Sequence, residues 1–228
     1  MKQLRGALKI IFILTLFPVA SQGSNEAKEG QALRQAFAVV KSIKSDFVQH
    51  KRMKILSHPL ISKGCFYFQT PDNLRWEYES PIKTVLMLSG GSVKRYTWQK
   101  GEYRQTSEAG MEAMHFVLQD ISGWLAGDFE SSKIFVAAFI AGSPGKVILT
   151  PREESLARFI QRVVLTLSAR PGVIQSVEII EDSDSATYIE FRNSEINIDF
   201  HESLFTKISG TKETNRINGI NPSKVQAP

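Results

Sequence analysis

Histidine and cysteine are the residue types best suited to bind metals or attack substrates, and this sequence contains few of either. The four histidines are isolated along the chain: His50, His58, His115 and His201. A zinc site needs three or four converging ligands, so no metal site is predicted. The single cysteine, Cys65, has bulky neighbours and no adjacent basic residue, which favours a small buried thiol over a nucleophile.

Three polar stretches resemble catalytic or ion-binding elements without completing one. The run SGGS at 89–92 lacks the Lys-Ser/Thr pair of a phosphate loop, and we interpret it as a hairpin turn. The acidic run 181–185 lacks the Gly and terminal Glu of a calcium loop. Glu77 and Glu79 could form an acid–base pair. Because they alternate with apolar residues, the simpler interpretation is that they lie on the solvent-facing side of a strand. We therefore predict that the protein is not an enzyme.

Residues 1–23 have the pattern of a secretory signal peptide. Basic residues precede the apolar run 10–17, and small residues follow it. The run is too short to cross a bilayer as a helix. We expect cleavage after Ala20, Ser21 or Gly23, and the pattern does not choose among them. Because no cysteine follows the signal that could carry a lipid, the mature protein is expected to be soluble.

The net charge of +5 does not indicate a nucleic-acid-binding protein. Three basic residues of the signal segment and a net +2 from residues 209–228 account for it. The part between them is about neutral, which argues against nucleic acid as a partner. Residues 24–208 are therefore expected to form one domain, followed by a disordered tail at 209–228, where the apolar content falls.

The periodicity predicts a helix, a run of antiparallel strands, a helical insert and a second run of strands. An apolar stripe at helical spacing lies within residues 26–43 and ends with Ile43. From Ser45 the period changes towards two, with Pro and Gly at hairpin spacing. Further strands are predicted at 60–69, 74–79, 85–88, 92–99, 102–106, 133–142, 146–151, 162–169, 173–181, 186–193 and, weakly, 195–200.

The insert at 108–130 is predicted to form short helices with one apolar face, interrupted at Gly123 and Gly127. The face consists of residues that step by three and four: Met111, Met114, Leu118, Ile121 and Leu125. Methionine accepts varied partners and is frequent on promiscuous binding surfaces. Because sheets twist, a long antiparallel sheet curls and has a concave face, which such a helix could close.

Large apolar residues alternate with charged ones at 74–79. The apolar residues are Leu74, Trp76 and Tyr78, and the charged residues are Arg75, Glu77 and Glu79. Successive side chains leave opposite faces of a strand, so we expect the apolar set on the concave side and the charged set in water. Met87, in the next apolar strand, is expected on the concave side too. The residues alone leave open whether this face is ordinary core or a ligand surface.

Four segments match a known family in order and spacing. They are "SDFVQ" at 45–49, "GCFYFQTPDNLRWEYESP" at 64–81, the apolar strand ending in Gly90-Gly91, and "VILTP" at 147–151. Over about residues 28–205 the sequence resembles the periplasmic lipoprotein carriers of LolA type, which share a fold with the outer-membrane acceptor LolB.

The resemblance implies an α+β fold, in which a curled antiparallel sheet forms a half-open β-barrel, capped by short helices, around an apolar cavity. It also implies a monomeric periplasmic carrier without cofactors, which receives a lipoprotein or other acylated cargo from an inner-membrane ABC-type extractor and delivers it to an outer-membrane acceptor. The implied cavity residues are Leu74, Trp76, Tyr78 and Met87, and the implied lid residues are Met111, Met114, Leu118 and Ile121.

The sequence departs from the family pattern in three places. Thr70 stands where carriers typically have an arginine that bonds to the helical lid, which makes Thr70 the expected latch position. Gly90 replaces an aspartate, and the tail is rich in Asn and Lys. Two alternatives therefore stay open: a carrier of another lipid or glycolipid, and a lipid or envelope-stress sensor that regulates a partner protein.

Overall fold

The computed structural model describes residues 23–106, 111–129 and 131–208, with the backbone alone for 23–29 and 111–117. The expected signal peptide, apart from Gly23, and the expected tail at 209–228 lie outside the described residues. Within the described ranges, no helix is long and apolar enough to cross a membrane.

One antiparallel sheet of eleven strands forms the body of the protein. The strands are β1 Ser42–Arg52, β2 Leu60–Gln69, β3 Asn73–Ser80, β4 Thr84–Ser89, β5 Ser92–Gln99, β6 Glu102–Gln105, β7 Phe135–Ile140, β8 Lys146–Pro151, β9 Arg162–Leu167, β10 Ile174–Ile180 and β11 Ala186–Ile196. Their order is β6-β5-β4-β3-β2-β1-β11-β10-β9-β8-β7. Each half is a meander of neighbouring hairpins, and the pairing of β1 with β11 joins the two halves.

Four helices accompany the sheet in the described chain: α1 Gly23–Ala38, α2 Met111–Leu125, α3 Glu154–Ala157 and α4 Ser203–Thr206. The connection from β6 to β7 contains α2, and these two strands are the unpaired edges of the sheet. The connection that contains α2 therefore runs from one edge of the sheet to the other. The predicted order of elements and the curled, open antiparallel sheet with short helices are confirmed.

The first helix is shorter than predicted, and Ile43 does not belong to it. α1 ends at Ala38, where the Val40 N–H donates to the Phe37 carbonyl at 2.9 Å. Ile43 lies in β1, paired with Phe68 of β2 and Ile196 of β11. The β-branched residues after α1 favour strand over helix, and two neighbouring strands supply the hydrogen bonds that a longer helix would have used.

The helical insert is one helix, because Gly123 does not interrupt α2. The helix ends before Gly127, whose φ of +85° lies in the left-handed region that favours glycine. A Cβ atom at this position would stand 2.9 Å from the Phe37 Cβ, so glycine also permits the close approach of this turn to α1. The expected break at Gly127 is confirmed, and the one at Gly123 is wrong.

Candidate functional site

The concave face of the sheet carries a cluster of aromatic side chains. Trp76 packs edge-on against Phe66, with ring centroids 5.1 Å apart, and against Phe47 at 5.4 Å. Tyr78 contacts Phe47 at 5.2 Å, and Phe191 of β11 completes the cluster 5.6 Å from Phe66. Leu74 is fully buried beside it. Leu74, Trp76 and Tyr78 thus share this face, as strand alternation predicted.

The second half of α2 covers this cluster. Leu118 is 2% exposed, and Trp124 and Leu125 are also buried in the same core. Ile121 is half-buried and packs against that core from the helix. The side chains of Met111 and Met114 lie outside the described residues, so their place in a lid stays a prediction.

Between the sheet and α2 lies an apolar void of about 70 Å³. It is lined by side chains of α2, the strands and the segment before β9: Phe66, Trp76, Ile121, Trp124, Leu125, Phe135, Ile160, Val163, Leu165, Ile174, Val177, Ile179, Ile189 and Phe191. Preformed small-molecule pockets usually measure about 300–1,000 Å³. A long acyl chain therefore does not fit without displacement of α2 or repacking of the core.

Several polar groups are buried in this interior. The indole N–H groups of Trp76 and Trp124 and the Ser122 hydroxyl are buried without a hydrogen-bond partner within the described part of the chain. An unsatisfied buried donor typically costs about 1–3 kcal/mol. The Tyr78 hydroxyl donates to Gln49 Oε1 at 3.1 Å, and burial raises the pKa of Tyr78 to about 12. Tyr78 is therefore a neutral hydrogen-bond donor at physiological pH.

A polar contact that the sequence did not indicate fastens α2 to the segment before β7. The Ser132 hydroxyl donates to the Asp120 carboxylate, and its oxygen accepts the Phe135 N–H at 2.9 Å. Partial burial raises the pKa of Asp120, the Ser132 hydrogen bond opposes this rise, and Asp128 adds to it. Asp120 and Ser132 are each ordinary in their own stretch of sequence, and nothing in those stretches indicates that the two residues form a pair.

The structure corrects the prediction for Met87. Met87 is buried, but it packs with Val85 and Ile208 on the convex face of the sheet. Its direct neighbour on β3 is Arg75, whereas Leu86 pairs with Trp76. Directly paired residues share a face, so Leu86 and Leu88 stand with the aromatic cluster and Met87 does not.

The expectation that Arg75 faces water is also wrong. Arg75 lies on the convex side, but it is 7% exposed because residues 199–208 cross over it. Its guanidinium forms an ion pair with Glu77 at 2.8 Å and donates to the carbonyls of Leu204 and Lys207 at 3.0 and 3.1 Å. Arg75 thus holds the segment containing α4 against the back of the sheet, away from the concave interior.

Thr70 and Cys65 lie outside the apolar interior. Thr70 follows β2, is half-buried, and donates its backbone N–H to the Lys41 carbonyl at 2.9 Å. Within the described ranges its hydroxyl makes no hydrogen bond, so its role as a latch stays a prediction. The Cys65 thiol lies 3.6 Å from an Asp46 carboxylate oxygen, and burial and then Glu79 raise its pKa. A raised pKa disfavours the nucleophilic thiolate.

The described residues contain no group of three or more side chains placed to hold a metal ion. What the geometry provides instead is a curled, open sheet whose apolar interior is covered by α2. This arrangement is a carrier or binding-protein fold. Residues 38–207 match the family model for the outer membrane lipoprotein carrier protein LolA, and the chain belongs to that family.

Several solved structures are similar to this chain at low sequence identity. A LolA superfamily protein from Nitrosomonas europaea is 9% identical, with 80% of this chain and 97% of that chain covered and a TM-score of 0.40. An uncharacterised conserved protein from Thermus thermophilus gives 8% identity, coverages of 82% and 95%, and a TM-score of 0.47. A chain of the Pseudomonas aeruginosa MucA/MucB complex is 14% identical, with 79% of this chain and 60% of that chain covered and a TM-score of 0.39. Curated protein sequences give no match. At these values the similarities carry no functional argument for this chain.

Proposed function

We propose that the protein is a periplasmic carrier that binds the acyl chains of lipoproteins between its curled sheet and α2, and ferries them from the inner to the outer membrane. It receives this cargo from an inner-membrane ABC-type extractor and passes it to an outer-membrane acceptor. The observation that carries the proposal is the apolar interior covered by a helix that joins the two unpaired edges of the sheet. Membership of the LolA family supports the class of cargo.

The interior can open without loss of the sheet. α2 is held by side-chain packing and by the Asp120–Ser132 hydrogen bond, whereas the strands are held by their own backbone ladders. Movement of α2 therefore leaves those ladders intact. The apolar surface that α2 uncovers is covered again by the cargo, and each buried CH₂ group contributes about 0.8 kcal/mol. The exchange of helix for acyl chain can thus be nearly balanced, as carrying and releasing cargo requires.

In this proposal, Leu74, Trp76 and Tyr78 form the wall of the acyl site. Leu118 and Ile121 belong to the movable cover, together with Met111 and Met114. The signal-peptide pattern at the N-terminus supports export to the periplasm. The neutral charge of the folded part agrees with a cargo bound through its acyl chains.

The test uses a pair of variants on opposite sides of α2. Ile121→Asp places a charge in the acyl site, whereas Gln119→Asp places the same charge on an exposed position of the helix. Both proteins and the wild type are purified from the periplasm, and bound lipids are extracted and identified by mass spectrometry. We expect acylated molecules with the wild type and Gln119→Asp. With Ile121→Asp we expect a loss of bound lipid that is greater than its loss of thermal stability.

Four outcomes would change the proposal. If no acylated molecule is found on the wild type, the proposal is contradicted. If Ile121→Asp loses bound lipid and thermal stability equally, α2 is part of the ordinary core and not a movable cover. A co-purifying glycolipid in place of a lipoprotein would keep the acyl site and change the cargo to the other carrier class. A sensor would bind the same lipid and fail to transfer it to outer-membrane vesicles that contain the acceptor.

A further inference from the structure

The most exposed large apolar side chains of the described residues concentrate at one end of the sheet. Ile55 is 86% exposed and stands beside Leu56 in the β1–β2 connection; Ile82, 64% exposed, lies in the β3–β4 connection. Phe159, 73% exposed, lies between α3 and β9. These connections share one end because β1, β3 and β8 run in the same direction. We refer to Ile55, Leu56, Ile82 and Phe159 as the apolar rim.

The opposite end of the sheet lacks a comparable group among the described residues. Val39, 64% exposed, precedes β1 there, and Ile140 ends β7 on a separate element. Scattered single apolar residues are normal on a protein surface. The apolar rim differs because its residues come from three connections at the same end of the sheet.

Positive charge accompanies the part of the apolar rim that contains Ile55 and Leu56. The β1–β2 hairpin, residues 51–63, contains Lys51, Arg52, Lys54, His58 and Lys63 and no acidic residue. The acidic turn before β11 faces part of this charge. Glu181 pairs with Lys51 at 3.3 Å and Asp184 with Lys54 at 3.8 Å, but the Lys54 pair is largely exposed. Within the described ranges Arg52 and Lys63 form no ion pair, so cationic side chains remain beside Ile55.

The apolar rim is directly connected to the interior. Phe159 points outward, whereas the next residue, Ile160, is half-buried and lines the apolar void. A surface that contacts Phe159 therefore lies one residue from the wall of the proposed acyl site. Cargo that leaves at this end would pass from the interior to that surface with a short path through water.

We propose that the apolar rim docks onto an anionic bilayer surface. Separate apolar side chains on three loops can each enter the headgroup region, while neighbouring Lys and Arg side chains meet the lipid phosphates. A protein partner would instead favour one continuous apolar patch, and polar residues separate the loops here. The docking itself is independent of the acyl site, whereas its purpose, transfer of cargo at a membrane, rests on the proposed function.

The experiment measures vesicle binding by flotation. Three proteins are compared, all made from the full chain and purified in the same way. They are the wild type, the double variant Ile55→Ser/Phe159→Ser, and Val39→Ser as a control at the other end of the sheet. The vesicles contain phosphatidylethanolamine with or without phosphatidylglycerol. We expect the wild type and Val39→Ser to bind the anionic vesicles, and the double rim variant to bind at least about tenfold more weakly, since each inserted side chain contributes a large part of its transfer free energy.

A second variant separates charge from apolar insertion. Arg52→Gln/Lys54→Gln should weaken binding to anionic vesicles several-fold, and high salt should reduce the wild type to the same level, because the interaction of exposed charges is screened. All substituted positions are exposed, so unchanged thermal unfolding is expected for every variant.

Some outcomes would overturn the docking proposal. These are a wild type that binds neither vesicle, and a rim variant that binds as well as Val39→Ser. Uptake of a fluorescent fatty acid in the absence of vesicles is measured on the same proteins. Lost vesicle binding with normal fatty-acid uptake supports the rim as a docking surface. Rim-dependent vesicle binding without any fatty-acid uptake would keep the docking surface and contradict the acyl carrier.

Discussion

Removal of the Ser132 hydroxyl should make α2 open more easily. This hydroxyl donates to the Asp120 carboxylate and so joins α2 to the segment before β7. A hydrogen bond to a charged group contributes about 1.5–3 kcal/mol, and about 1.4 kcal/mol corresponds to a tenfold change in an equilibrium constant. If opening breaks this bond, Ser132→Ala raises the open population by about tenfold to a hundredfold.

The assay is stopped-flow uptake of a fluorescent fatty acid. Uptake by Ser132→Ala should be faster by about tenfold or more, following the open population. Ser131→Ala is the matched control, because Ser131 is exposed and bonds to Asp128 through its backbone N–H. Its uptake should stay within about twofold of wild type. Unchanged uptake by Ser132→Ala with lower stability would refute the reasoning and make this bond a structural one.

The pH dependence of uptake gives an independent check. Burial raises the pKa of Asp120 in the closed form, and opening returns it towards its ordinary value. The closed form thus binds this proton more tightly. The resulting stabilisation of closure is fully present below the ordinary pKa and is lost as pH rises through the raised one. Uptake should therefore slow as pH falls towards 4, and Asp120→Asn should remove that part of the slowing.

Further predictions concern residues outside the interior. Arg75→Met should destabilise the fold by about 3 kcal/mol, which is the lower end for breaking a buried ion pair, because the Glu77 side chain is 26% exposed. Urea unfolding should show this loss of stability. Trypsin should cut faster after Lys207, whereas fatty-acid binding should not change. Cys65 should react slowly with iodoacetamide at pH 8 because its pKa is raised, and Glu79→Gln should speed the reaction; equal rates would exclude Glu79 as a cause. Thr70→Arg should slow cargo release to acceptor liposomes with the fold intact, since a charged donor holds a lid more firmly than a hydroxyl; unchanged or faster release would show that Thr70 is not the latch.

Strand positions followed from the sequence where alternation and turns agree. The predicted segments 60–69, 92–99 and 146–151 coincide with β2, β5 and β8, because Pro and Gly mark their ends and one face is apolar. The face of Leu74 and Trp76 followed from the same alternation. The two predicted strands at 186–193 and 195–200 are instead one strand, β11, which ends at Ile196.

The errors lie where both faces of the sheet are covered. All side chains from Thr84 to Leu88 are buried, so this run contains no alternation that could assign Met87 to a face. The cover on the convex side comes from α4 and its neighbours, more than a hundred residues further along the chain, as in the bond from Arg75 to the Leu204 carbonyl. A charged residue such as Arg75 gives no local sign of such a cover.

The contact between Asp120 and Ser132 was missed for a different reason. Each residue is ordinary in its own segment, and the pair forms because α2 and the segment before β7 meet in the folded chain. Of the expected cover, Leu118 and Ile121 could be named from helical spacing, because the apolar stripe is regular. Which of them is fully buried depends on the depth of the sheet, and spacing contains no information on that depth.

Quenching of tryptophan fluorescence by a brominated fatty acid tests the central claim most directly. The sequence has three tryptophans, of which Trp76 and Trp124 line the interior and Trp98 lies exposed on β5. Bromine quenches at short range, so Trp98→Phe reports on the interior and Trp76→Phe/Trp124→Phe reports on the outside. An acyl site between the sheet and α2 predicts strong, saturable quenching in the first variant and little in the second. Absent quenching of the interior pair, or equal quenching of Trp98, would contradict it.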